Sequence, residues 1–147
     1  MRKIVVGVDG SDGSKRALRF AVEEARAHGA RVVALHSWQP PVLAVDVTPM
    51  PPPDIAAEIG NLHENALRLV TAVVEEVVGD DSSVSVEAVA VEGPAASALV
   101  DAARDADLLV MGSRGLGGFA GLLLGSVSQQ CVQHATCPVV IHRTMHQ

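Results

Sequence analysis

The chain has 147 residues, is 48% hydrophobic but only 2% aromatic, and carries a net charge of −6 with a pI near 5.4. That length fits a single domain with a sizeable core. The acidic balance, with no Lys/Arg cluster, excludes a basic nucleic-acid surface, and no apolar run approaches the about 18 residues that a membrane-spanning helix needs.

With no Tyr and few other aromatics, the core must be built from Val, Leu, Ile and Ala, the mixture of layered α/β domains. The opening MRKIVVGVDGS is charged and then apolar, but it lacks a long apolar centre and a small-residue cleavage site. It reads as the first strand of a cytosolic protein. Cys131 and Cys137 are too few for a disulfide framework and lack CxxC spacing, so two reduced, mostly buried thiols are expected.

Ile4 to Val8 is a continuous β-branched run ending at Asp9-Gly10, the pattern of a strand covered on both faces. Ser11 to Ser14 offers capping residues. Ala17, Leu18, Ala21, Val22 and Ala25 then follow at helical spacing, and His28-Gly29 closes the helix. Arg31 to Ser37 is a second apolar strand. The proline-rich segment 40–53 can be neither helix nor ladder, and a connection of that length is either a lid or partner surface or a plain surface loop.

Ile55, Ile59, Leu62, Ala66, Leu69, Val73 and Val77 mark one face of a long helix stopped at Gly79-Asp80. Val84, Val86, Ala88 and Ala90 alternate with Ser85 and Glu87, a third strand whose half-polar face suits the sheet edge. Ala95 to Arg104 is a short alanine-rich helix with Pro94 near its first turn. Leu108 to Met111 is strand four, Ser126 to Ala135 helix four, and Pro138 to Ile141 a last short strand. Strand–helix alternation of this kind means one α/β domain over 1–147, with three layers: a five-stranded parallel sheet and helices on both faces.

If the chain winds outward from strand one through two to three, it must return past strand one to place strand four. The order is then 3-2-1-4-5, and the reversal lies between strands one and four. Ligands of open α/β sheets sit beyond the carboxyl ends of the strands at such a reversal. Asp9 and Gly112 would face each other there. Another winding would move that crevice.

Between strand four and helix four runs a loop with glycines at 112, 115, 117, 118, 121 and 125. Backbone N–H groups leading into a helix N-terminus suit phosphate. Ser126, three residues before Gln129, has the spacing of a capping box. No lysine precedes Ser126, so this is not the GxxxxGK[ST] loop, and Asp9-Gly10-Ser11 after strand one is not a dinucleotide fingerprint.

These segments together resemble the universal stress protein family, in its ATP-binding branch. The likeness rests on Ile4-Val5-Val6-Gly7-Val8-Asp9-Gly10-Ser11, Ala34-Leu35-His36, Leu108 to Gly115, Gly125-Ser126-Val127-Ser128 and Cys137 to Ile141. Gly112, two residues, Gly115, nine residues, then Gly125-Ser126 matches the family's G-2x-G-9x-G-[ST] signature. The resemblance implies ATP, with Mg, as the bound cofactor. Asp9 would contact the ribose region, and the backbone at Ser37 would face adenine. Gly112 and Gly115 would form one arm of the phosphate loop, and Gly125, Ser126 and Val127 the other. It also implies a homodimer through the last strand, Val139 to Ile141.

Each of these residues has a plainer reading. Asp9 can close a turn or cap helix one, Ser126 can cap its own helix, Arg114 can be solvated, and Met111 belongs to the core. His36 and His63 show no HxH or HxxxH pairing and suggest no metal. The phosphate loop also lacks a lysine and an evident base. The sequence therefore reads as a cytoplasmic, adenine-nucleotide-binding stress-response regulator, with at most slow hydrolysis and a regulatory protein partner of unknown identity. A small Mg-dependent ATPase or nucleotide-transferring enzyme is the competing reading, and a nucleotide-independent interaction protein the third.

Overall fold

The structure, a computed structural model, describes residues 1–40, 53–113 and 124–143. Five strands alternate with four helices: β1 (Lys3–Gly7), α1 (Asp12–His28), β2 (Arg31–Trp38), α2 (Pro53–Val78), β3 (Val86–Glu92), α3 (Ala95–Ala102), β4 (Leu108–Gly112), α4 (Ser126–His134) and β5 (Val139–His142). The sheet order is β3-β2-β1-β4-β5 and every pairing is parallel. The expected 3-2-1-4-5 order therefore holds. The winding reverses between β1 and β4.

Successive residues of a strand point to opposite faces, and β1 shows why its run is unbroken by polar residues. Ile4, Val5 and Val6 are all 0% exposed. Ile4, Val6 and Val8 pack with Leu18 and Val22 of α1 and Val70 and Val73 of α2. Val5 packs instead with Ala96 and Leu99 of α3 and Cys131 of α4. Two helices cover each face, and each buried Val, Leu or Ile contributes about 1.5–3 kcal/mol. At Gly7 a Cβ would lie 3.1 Å from Leu99 Cδ1, so glycine lets α3 close onto β1.

Ser11 caps α1, its side chain accepting from the Ser14 N–H at 3.2 Å, and Gly29 ends the helix at φ 67°. Along α2, Ala66, Val70 and Val73 are buried. Val70 lay outside the expected stripe, while Leu69 is only half-buried. Both i+3 and i+4 positions turn inward on a 3.6-residue helix, which broadens the face. The edge position expected for β3 is observed.

Several boundaries differ from expectation. Val84 is buried ahead of β3 and not within it. The α-helical part of α3 stops at Ala102, and Ala103–Asp105 tightens into a 3₁₀ turn. β5 begins after Pro138, which has no N–H to donate but whose carbonyl accepts from the Leu109 N–H at 3.0 Å. Most of the proline-rich segment 40–53 lies outside the described residues.

The amino edge of the sheet is fastened by charge. The Asp107 carboxylate accepts from the Arg2 N–H at 2.6 Å and the Lys3 N–H at 3.0 Å. Lys3 also pairs with Asp105 at 2.7 Å, and Arg26 pairs with Asp81. These clasps sit at the end of the sheet opposite the crevice formed by the winding reversal.

Candidate functional site

At the carboxyl edge, β1 runs out into Val8-Asp9-Gly10-Ser11. The Val8 N–H donates to the Leu35 carbonyl at 2.8 Å and keeps this turn beside β2. His36 Nδ1 lies 2.7 Å from the Val8 carbonyl. A carbonyl only accepts, so that ring nitrogen carries the proton. Asp9 Oδ1 accepts from the Ser11 N–H at 2.9 Å and from the Ser11 hydroxyl. The turn-closing role weighed for Asp9 is therefore present, whereas capping of α1 falls to Ser11. Both bonds use Oδ1, and a carboxylate has a second oxygen to offer. Gly10, at φ 86°, lets the chain reverse into α1. Ser37 is half-buried on β2, opposite Val91 of β3 and one residue beyond His36.

β4 ends beside this turn at Gly112, and α4 begins at Ser126. The two are joined directly. The Gly125 N–H donates to the Ser113 carbonyl at 2.6 Å. The Ser128 hydroxyl, in a residue 3% exposed, donates to the Gly112 carbonyl at 2.9 Å and lies 3.3 Å from the Ser113 carbonyl. The Ser113 N–H reaches the His142 carbonyl of β5 at 3.2 Å. The sequence-expected residues Gly112, Gly125, Ser126 and Val127 are thus brought to one place. Gly115 and the glycines at 117, 118 and 121, with Arg114, lie outside the described residues.

The capping-box expectation is corrected. Gly125 is the N-cap, its carbonyl accepting from the Gln129 N–H at 3.0 Å, and no side chain caps the helix. Ser126 is the first helical residue, and its hydroxyl oxygen accepts from Gln130 Nε2 at 3.1 Å. The helix starts one residue before the box would place it, and the Gln129 side chain reaches back to the Leu124 carbonyl, Nε2 donating at 3.4 Å, and not to the N–H of the capping residue. The leading N–H groups of any helix lack intrahelical acceptors and carry a partial positive charge. The first turn of α4 holds no acidic residue to neutralise it.

Ser113 and Ser128 entered the sequence reading only as part of the family likeness, with no role of their own, and the His36–Val8 contact was missed. Ser128 sits among small residues one step past the motif, and only its position facing β4 distinguishes it. Cys131 lies on the next turn of α4, fully buried, and burial pushes its thiol up to about 11. Burial also raises Cys137, which is half-buried. Neither has the thiolate character of a nucleophile, and both are free. Among the described residues no cluster of three His, Cys, Asp or Glu side chains could hold a metal ion, and no helix is long and apolar enough to cross a membrane.

Comparison with known proteins fits this geometry. The family model described as "Universal stress protein family" matches residues 1–143. A universal stress protein of Thermus aquaticus is 36% identical over 148 aligned positions, covering 97% of this chain and 98% of its own. One from Mycobacterium tuberculosis is 37% identical over 95% of this chain, but the chain spans only 44% of that relative. Thus the chain matches one relative end to end and about half the length of several mycobacterial ones.

Among solved structures, a universal stress protein from Lactobacillus plantarum superposes with a TM-score of 0.79 at 25% identity, covering 97% of both chains. A universal stress protein in complex with cAMP has a TM-score of 0.65 at 29% identity, covering 99% of this chain and 97% of its own. One from Archaeoglobus fulgidus in complex with dAMP has a TM-score of 0.57 at 26% identity, covering 96% and 97%.

Proposed function

The chain belongs to the universal stress protein family, and we propose that within it this protein is a cytoplasmic regulator that binds adenine nucleotide at the carboxyl edge between β1 and β4. The observation that carries the reading is the junction of Gly112-Ser113 with Gly125 and Ser128. It holds the N-terminus of α4, which no side chain caps, at the carboxyl edge where the sheet winding reverses. Neighbours of the same fold hold cAMP and dAMP.

In this reading ATP is the ligand. Its phosphates lie on the first N–H groups of α4 and on the loop that includes Gly115, with Gly112, Gly125, Ser126 and Val127 flanking them. Asp9 offers Oδ2 to a ribose hydroxyl while Oδ1 holds Ser11. The backbone at Ser37 borders the base. Mg²⁺ arrives on the phosphates, with Asp9 as the carboxylate at this edge. Two subunits pair along β5, an edge strand of half-buried Val139, Val140 and Ile141 that would otherwise stay unpaired. Binding changes the surface offered to a regulatory protein partner. The site lacks a lysine on its phosphate loop, so turnover slower than about 1 s⁻¹, the low end of ordinary enzymes, is expected.

A thermal melt tests this reading. ATP with Mg²⁺ at about 100 times Kd should add roughly 2.7 kcal/mol. For a domain of this size that raises Tm by about 5 to 10 °C. No shift with any adenine nucleotide would refute it.

A further inference from the structure

The single tryptophan, Trp38, is the last residue of β2 and adjoins Ser37. Helix α2 passes over this edge. A Cβ on Gly10 would meet Leu69 Cδ1 at 3.7 Å, so Leu69 is level with the turn after β1. His63 lies six residues nearer the start of α2, about 9 Å further out at 1.5 Å per residue. There Trp38 Nε1–H donates to His63 Nδ1 at 3.1 Å, and the two rings meet edge-on, 5.9 Å apart at 70°. An indole N–H can only donate, so His63 Nδ1 must hold a lone pair and its proton must sit on Nε2. The bond exists only while His63 is neutral.

We propose that Trp38 and His63 form a proton-sensitive pin between the carboxyl end of β2 and the overhanging part of α2, with His63 as a positioning residue for the site. Protonating His63 places a second N–H against the indole N–H. The bond is lost, and the two walls beside Ser37 are freed to part. The pin itself needs no ligand, and its effect on nucleotide rests on the function proposed above.

Among the described residues, these charged and titratable groups lie on the elements packed against it. On β2 there is His36, held on the Val8 carbonyl. On β3 there is Glu92, opposite Trp38 in the register. On α2 there are Glu64 and Arg68, an ion pair at 3.7 Å. On α1 there is Lys15, paired at 3.0 Å with Glu76 much further down α2. Carboxylates ordinarily change charge below about pH 5, and lysine and arginine above about pH 10. Histidine is the side chain that ordinarily changes charge between about pH 5 and 8, and His36 is another histidine at this end of β2.

Trp38 emission reports the pin directly, because no other tryptophan contributes. Emission of the ligand-free full chain is recorded from about pH 8 to about pH 5. Wild type should show one sigmoidal change, which His63→Gln abolishes and His36→Gln retains. The glutamine amide oxygen accepts the indole N–H and does not titrate, so His63→Gln should hold the high-pH emission throughout. A flat wild-type profile, or a step that survives in His63→Gln, would overturn the pin. ATP binding should weaken more between pH 7.5 and 5.5 in wild type than in His63→Gln, and equal weakening would overturn the positioning role. The emission experiment contains no nucleotide, so its outcome is separate from that of the proposed function.

Discussion

The Ser128 hydroxyl donates to the Gly112 carbonyl at 2.9 Å and so ties the first turn of α4 to the last residue of β4. The contact spans sixteen residues of chain. It brings together two glycine positions that the sequence separates.

Replacing Ser128 by Ala removes that bond from a buried site. A bond of this kind contributes about 1 kcal/mol, and denaturant unfolding should show a loss of that order. ATP affinity should fall as well, because the arms on either side of the phosphates are no longer held. A variant that loses stability but binds ATP as wild type does would show that the junction serves the fold alone.

Gly10 occupies φ 86° at the turn between β1 and α1. An L side chain in that region costs about 1–2 kcal/mol. Gly10→Ala should therefore lower stability by about that much, although Leu69 at 3.7 Å leaves room for the methyl. An unchanged unfolding midpoint would mean that the turn adopts another conformation in solution.

Much of this architecture was legible from residue patterns. β1 is buried on both faces, so its unbroken Ile-Val-Val run identified a central strand, and the alternation in β3 identified an edge. The placement of Gly112 at a strand end and of Gly125 and Ser126 at a helix start was legible from the apolar run before them and the small residues between. What the pattern could not carry was the partner of each polar group. Ser126 looked like a cap, but Gly125 fills that place. Ser128 belonged to the quoted likeness but its partner was not legible, because a serine facing a strand end looks like any other serine in one dimension. The Trp38–His63 contact joins residues 25 apart through the packing of α2, which no local spacing encodes.

Surface aspartates of the amino-edge clasps, Asp81, Asp105 and Asp107, contribute stability that acid removes. Asp81 is lowered from 3.8 to about 2, first by the Ser83 hydroxyl, then by the Ser83 N–H and the Arg26 guanidinium. The N–H groups of Arg2 and Lys3 lower Asp107. A folded-state pKa below the unfolded value stabilises above the unfolded pKa, and that contribution is lost as pH falls through the folded one. Stability should therefore decline from near pH 3.8 toward about 2. Asp81→Asn and Asp107→Asn should each show a shallower decline in Tm over that range. Slopes equal to wild type would remove these clasps from the account.

The central claim is that the α4 N-terminus, framed by Gly112 and Gly125, holds the phosphates of an adenine nucleotide. Isothermal titration of the full chain with ATP and Mg²⁺, beside a Gly125→Val variant, tests it most directly. Gly125 has φ −75° and ψ 171°, a conformation that valine also adopts, so the variant should fold and keep its helix content. Wild type should bind one nucleotide per chain saturably, and Gly125→Val should lose that binding. No binding by wild type, or equal affinity in the two proteins, would contradict it.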